Sequence, residues 1–225
     1  MNRHVKVGDY MKVLITGTSN GIGKAIANKF LEENHQVIGI DIKESTINNK
    51  NYKHITKSII DKDLEDIKDI DILINNAGCQ NSEDDIDINL KGTINITEKY
   101  GLQSNIKSIL FIASSSATTG AEFPRYVASK GGIVSYMKYV ANEISKFGAT
   151  ANSISPGGVL TDLNKHIIED EKLYQAVLNE TMLNKWATPE EIADLAYYLT
   201  VINKSMTGQD LLIDNGEALK SNFIW

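Results

Sequence analysis

The chain is short of several things, and each shortage excludes a class of protein. One cysteine, Cys79, among 225 residues leaves no partner for an intramolecular disulfide, which fits a reducing cytoplasm. With three prolines and no Gly/Ser tract there is no linker to divide the chain, so one domain with a sizeable core is expected. No apolar run approaches the roughly 20 residues that a membrane-spanning helix needs, so no membrane partner is expected. Met1 to Met11 lacks the apolar core of a signal peptide and reads as a flexible extension (1–11) ahead of a domain over 12–225. Basic residues number 23 against 29 acidic ones; the net charge of −6 argues against nucleic acid, which needs a basic face. His4, His35, His54 and His166 are scattered with no pair at ligand spacing, so no metal is expected.

What the chain does have is the stretch Thr16-Gly17-Thr18-Ser19-Asn20-Gly21-Ile22-Gly23. The apolar run Val13-Leu14-Ile15 enters it, and a helical pattern with Ile22, Ile26 and Phe30 on one face leaves it. A strand, a glycine-rich turn and a helix N-terminus in that order form an anion cradle, because the first helical turn offers free N–H groups and the positive end of the dipole. Gly17 allows the tight turn; Gly21 and Gly23 let the backbone approach a pyrophosphate and the helix pack on the sheet. With Asp41 about twenty residues downstream, dinucleotide binding is the expected use.

Further on, apolar runs alternate with helical patterns. The first helix is expected to end near Glu33. Strands are expected at Gln36–Asp41, Tyr52–Ile55, Asp71–Ile74, Ile109–Ile112, Thr150–Ile154 and Asp210–Ile213. Helices are expected over 61–70 (from Leu64 and Ile67), 84–102, 126–146, 164–180 and 189–201. Such alternation, with strands apolar on both faces, predicts an α/β fold: a doubly wound parallel sheet of about seven strands with helices on both faces. Ligands in such a sheet sit beyond the carboxyl ends of the strands, which singles out Asp41, Asn75-Asn76-Ala77-Gly78, Ser114 and Pro156-Gly157-Gly158.

Tyr126 and Lys130 are four apart on a predicted helix and share one face. A free tyrosine titrates near 10 and is a poor base at neutral pH. A cation about 4 Å away at an effective dielectric of about 20 favours the phenolate by roughly 4 kcal/mol, which would bring Tyr126 near 7. There it could give or take a proton. Ser114 adds a hydroxyl donor for a substrate oxygen.

Taken together and in chain order, Thr16–Gly23, Asn75–Gly78, Ser114, Tyr126-x-x-x-Lys130 and Pro156-Gly157 resemble the short-chain dehydrogenase/reductase superfamily. Thr188-Pro189-Glu190-Glu191-Ile192-Ala193 and Thr207-Gly208-Gln209 are similar to its C-terminal part. The resemblance implies a Rossmann-type fold and hydride transfer between a nicotinamide and a small alcohol or ketone. It implies Tyr126 as acid/base, Lys130 on the nicotinamide ribose, Ser114 on the substrate oxygen and Asn89 as support for a proton-relay water. For the cofactor it implies Gly17, Ser19, Asn20, Gly21, Ile22, Gly23, Asp41, Asn76, Ala77, Gly78, Tyr126, Lys130, Pro156, Gly157, Val159 and Thr161. For Thr161 a helix N-cap role, its own or that of Asp162, is read equally. The adenine contact falls on Ser58 or Asp61, and the loop from Ser114 to Tyr126 is one residue shorter than the family pattern.

NAD is expected over NADP. Asp41 can accept from a ribose 2′-hydroxyl, whereas a 2′-phosphate about 4 Å away would cost roughly 4 kcal/mol per unit charge pair. Lys43 is the one nearby cation that could blunt this, and it reads as a solvated loop residue. A homo-oligomer, dimer or tetramer, is expected from the resemblance and from Ile94, Ile133, Met137, Val140 and Ile144 as a pairing stripe. The alternative function is a non-catalytic dinucleotide-binding redox sensor or regulatory protein; a nucleotide-sugar epimerase is weaker, since the chain is short for an added domain.

Overall fold

The computed structural model describes residues 10–220. Most of residues 1–11 therefore lie outside the described residues. Met11, placed in the extension by its sequence, is fully buried and belongs to the core.

Among the described residues seven parallel strands form one sheet in the order β3-β2-β1-β4-β5-β6-β7. They are β1 (Lys12–Thr16), β2 (Gln36–Asp41), β3 (Tyr52–Thr56), β4 (Ile72–Asn75), β5 (Ser108–Ile112), β6 (Thr150–Pro156) and β7 (Asp210–Ile213). Val13 and Ile15 point into one apolar cluster and Leu14 into the other, so β1 is buried on both faces. On the first face α1 (Gly21–Glu32) packs beside α7 (Pro189–Tyr197), joined by Phe30 against Tyr197 at 5.3 Å and by Lys29–Asp194 at 3.0 Å. Thr188 and Glu191 close a reciprocal capping box at the start of α7, as the Thr-Pro-Glu-Glu sequence dictates. A π-helical stretch, Tyr198–Ile202, continues it. The opposite face carries α2 (Thr93–Tyr100) and the long α4 (Pro124–Ser145).

Three predicted elements differ. Residues 61–70 form no helix: Leu64 and Ile70 are buried anchors of an extended strap, and Asp69 has a φ of 57°, which breaks any helix there. The strap's carbonyls are served by side chains from α2 and just beyond it: Asn95 donates to Ile59, Lys99 to Leu64, Tyr100 to Glu65 and Asn105 to Ile70. The single helix expected over 164–180 is two short ones, α5 (Lys165–Ile168) and α6 (Glu171–Leu178), because Asp170 turns out of helical geometry and caps the Lys172 and Leu173 N–H groups. The helix expected from residue 84 starts as a π-helical segment, Ile86–Gly92, before α2.

The proposed pairing stripe is corrected as well. Ile133, Met137, Val140 and Ile144 are all buried against the sheet and are not free to meet another subunit; Ile94 is half-buried.

Candidate active site

The chain order reverses between β1 and β4, and both strands end at the same crevice. The two strand ends are stitched there. Asn76 Nδ2 donates to the carbonyls of Thr16 (2.9 Å) and Gly17 (3.1 Å), while the Asn76 and Ala77 N–H groups both bond Thr16 Oγ1 at 3.0 Å. Asn76 thus holds the glycine turn as well as the strand. Gly17 has a φ of 76°, and a Cβ there would lie 2.7 Å from Asn76 Nδ2, so only glycine fits.

The cradle fits a dinucleotide. Asn20 at the α1 N-cap makes no side-chain cap, leaving first-turn N–H groups available for a phosphate. Gly21, with a φ of 52°, lies open except toward the Thr161 methyl at 3.4 Å. Thr161 occupies the N-cap position of the 3-10 turn Asp162–Asn164 but makes no side-chain capping bond among the described residues. Asp41, at the end of β2, accepts from the Ser19 N–H (2.9 Å) and the Lys43 N–H (2.9 Å). It is the Lys43 backbone, not its exposed ammonium, that touches the carboxylate. Asp61 accepts from the Ser58 N–H at 2.9 Å, so the two candidates for the adenine contact adjoin.

Ser114, Tyr126 and Lys130 come together over the end of β5. Ser114 is buried, and its hydroxyl lies near enough to the Tyr126 phenol to oppose the rise in its pKa. Ser116 donates to Ser114 Oγ from its own Oγ (2.8 Å) and its N–H (3.2 Å), which fills the acceptor side of Ser114 and leaves its proton for Tyr126 or a substrate oxygen. Sequence reasoning missed Ser116; the run of three serines was its one signal. A Ser114–Tyr126 loop one residue short still closes, through the helix α3 (Ser116–Thr119) and the left-handed Gly120.

Lys130 is where the sequence-based electrostatics fails. Its ammonium donates to the Ile112 carbonyl at 3.0 Å and lies 5.6 Å from the centre of the Tyr126 ring. Burial pulls Lys130 down to about 8, and burial together with the charges of Glu122, Asp85 and Cys79 pushes Tyr126 up to about 12, against the Ser114 hydroxyl. Tyr126 is therefore not near 7: burial holds it up, acidic neighbours add to the rise, and the lysine ammonium is engaged at Ile112.

Asn89 sits in the π-helical segment, fully buried, and its amide holds Cys79: Oδ1 accepts from the N–H (2.8 Å) and Nδ2 donates to the carbonyl (2.9 Å) and to Ser129 Oγ (3.0 Å). A π-turn widens the helix and re-aims such a side chain. On the far side of the cleft Val159 pairs with Ala187, and the Trp186 ring lies so close over Gly158 that no Cβ fits. A Cβ on Gly157 would meet Asp214 and Glu217. Glu122, with a φ of 79°, accepts from Gln80 Nε2 at 3.1 Å across the mouth.

Comparisons with known proteins agree with this architecture. Residues 17–217 match the family described as enoyl-(acyl carrier protein) reductase. The 3-oxoacyl-(acyl-carrier-protein) reductase FabG of Buchnera aphidicola is 32% identical over 90% of this chain and 95% of its own. Glucose 1-dehydrogenase of Gluconobacter oxydans is 29% identical over 94% and 93%. A 4-hydroxyisoleucine dehydrogenase solved with NADH superposes with a TM-score of 0.85 at 27% identity, over 94% of this chain and all of that one. The chain belongs to the short-chain dehydrogenase/reductase superfamily, and its class of reaction is hydride-transfer oxidoreduction with a nicotinamide cofactor. Nothing in these relatives supports the sensor alternative.

Proposed function

We propose that the protein is an NAD-dependent enzyme interconverting a small alcohol and its carbonyl compound, with Tyr126 as acid/base. The observation that carries this is the convergence of Tyr126, Ser114 and buried Lys130 on one point beside a glycine turn that ends against Asp41. When bound, the nicotinamide supplies or takes up the hydride. Ser114 holds the substrate oxygen with the proton that Ser116 leaves free. Tyr126 gives that oxygen a proton in reduction and removes it in oxidation. Lys130 holds the ribose, and Asn89 shapes the wall behind it. Pro156, Gly157, Val159 and Thr161 close the cofactor side, with Ala77 and Gly78 along its length.

Two features refine the reading. A tyrosine held near 12 keeps its proton at neutral pH, so it is the acid that meets a carbonyl oxygen in the reductive direction. Glu122 and Glu217 interact at the mouth of the cleft, and burial raises both; they favour a hydroxylated substrate over an anionic one. We further infer a cytoplasmic homo-oligomer. Exposed Tyr139 on α4 and Phe147 just beyond it supply apolar surface for the contact in place of the buried stripe. A panel of alcohols and ketones with NAD(H) and NADP(H), followed by nicotinamide absorbance, tests the activity. No turnover of any of them would overturn it. Light scattering tests the assembly, and a monomeric mass would sink that part.

A further inference from the structure

Asp85 immediately precedes the π-helical segment and is 1% exposed. A carboxylate this deep is costly unless its oxygens are bonded or a cation answers it. Oδ1 accepts from the Cys79 thiol at 3.3 Å and from the Ser82 N–H at 3.2 Å; Oδ2 has no hydrogen-bond partner among the described residues. Four residues on, and so on the same helical face, Asn89 bonds both backbone groups of Cys79. Two side chains one turn apart therefore grip a single residue at its N–H, its carbonyl and its thiol. The residue before it, Gly78, is pressed into the lysine site: a Cβ there would lie 2.9 Å from Asn89 Oδ1 and 3.7 Å from Lys130 Nζ.

We propose that Asp85 is a positioning residue of the reaction site: with Asn89 it clamps Cys79, fixing the wall against which Lys130 rests, and its buried carboxylate is a counter-charge to the Lys130 ammonium. This rests on Tyr126 and Lys130 being the reacting pair. The groups acting on Tyr126 are Ser114, Glu122, Asp85 and Cys79; those acting on Lys130 are Cys79, Asp85 and Glu122. Cys79 itself is pushed up to about 11 by burial and by its bond to Asp85, so it is a neutral thiol at pH 7. That leaves Asp85 and Glu122 as the acidic groups acting on the pair. Asp85 raises both Tyr126 and Lys130, so removing its charge lowers both.

The test is the pH dependence of kcat/KM for alcohol oxidation in wild type, Asp85→Asn, Cys79→Ser and Cys79→Ala. Asp85→Asn keeps an acceptor for the thiol and loses the charge; both limbs of its profile should move to lower pH by about half a unit or more. Cys79→Ser retains a donor and should keep the wild-type limb near pH 8, where the thiol is neutral. Cys79→Ala should lose rate severalfold with that limb in place. A second charge-removing variant, Asp85→Ser, and phenolate absorbance taken as the difference from Tyr126→Phe read the same shift without turnover. Limbs and phenolate titration unmoved in the Asp85 variants would overturn the proposal, whatever their rates. Full activity in Tyr126→Phe would instead overturn the reading of the reacting pair.

Discussion

The Lys130 ammonium donates to the carbonyl of Ile112, 3.0 Å away, at the end of the strand that leads into Ser114. The bond ties helix α4 to β5 just where the reacting hydroxyls sit. Lys130→Ala leaves that buried carbonyl unpaired, at a cost of about 1–3 kcal/mol. Fluorescence titration should show NAD affinity falling roughly tenfold or more, and thermal melting a lower midpoint. Unchanged affinity would remove the ribose-binding role.

Tyr126→Phe keeps the ring and removes the proton. Turnover should fall by about 10² to 10⁴, the usual contribution of a general acid or base, with NAD affinity nearly intact. Steady-state rates and a binding titration on the same preparation separate the two effects.

Ser114→Ala should be inactive or nearly so, and Ser115→Ala active. Ser114 faces Tyr126, whereas Ser115 makes no side-chain cap at the start of α3 and carries only the backbone there. Ser116→Ala should fall between them, because Ser114 would lose its principal donor. Rates of the three variants decide the register; an inactive Ser115→Ala beside an active Ser114→Ala would reverse it.

Asp41→Ala should narrow the ratio of kcat/KM for NAD over NADP. The wild-type preference is expected near a thousandfold if the full like-charge cost of roughly 4 kcal/mol applies. Equal efficiencies in the wild type would show that the exposed Lys43 ammonium swings back to offset the carboxylate.

His35 makes the fold sensitive to acid. It is buried between Phe30 and Tyr197, and its Nδ1 accepts from the Met11 N–H at 3.3 Å, which requires that nitrogen unprotonated. Burial lowers its folded pKa against the opposing fields of Glu33 and Asp71. The unfolded chain then takes up the proton first, so stability is full above about 6.5 and declines as pH falls through that value toward the folded pKa. Melting midpoints between pH 7.5 and 5 should fall by about 2–4 °C for each kcal/mol lost. His35→Gln, which keeps an acceptor, should show a flatter curve; a slope equal to the wild type would assign the effect to other groups.

Much of the sheet was legible because its strands are short apolar runs ending in turn residues, a signal that needs no tertiary information. The glycine turn, Asn76, Ser114 and Tyr126–Lys130 could be placed because each follows a strand or shares a helix face. What could not be read depends on what lies across the gap. Leu64 and Ile67 are spaced alike in a helix and in a strap anchored at two points. Met137 and Ile144 look the same whether a sheet or a second subunit covers them. Tyr126 and Lys130 are one turn apart, but spacing does not reveal that Ile112 already holds the ammonium. Asp85 did carry a signal, four residues before Asn89 on the same face, yet nothing in the sequence buries it.

The strap between β3 and β4 has one more consequence. Its backbone carbonyls are answered by Asn95, Lys99, Tyr100 and Asn105 rather than by a ladder of its own. Neither it nor α2 can then come loose alone, and the two should behave as one cooperative unit in hydrogen exchange, with the amides of α2 opening at the same free energy as those of the strap it secures.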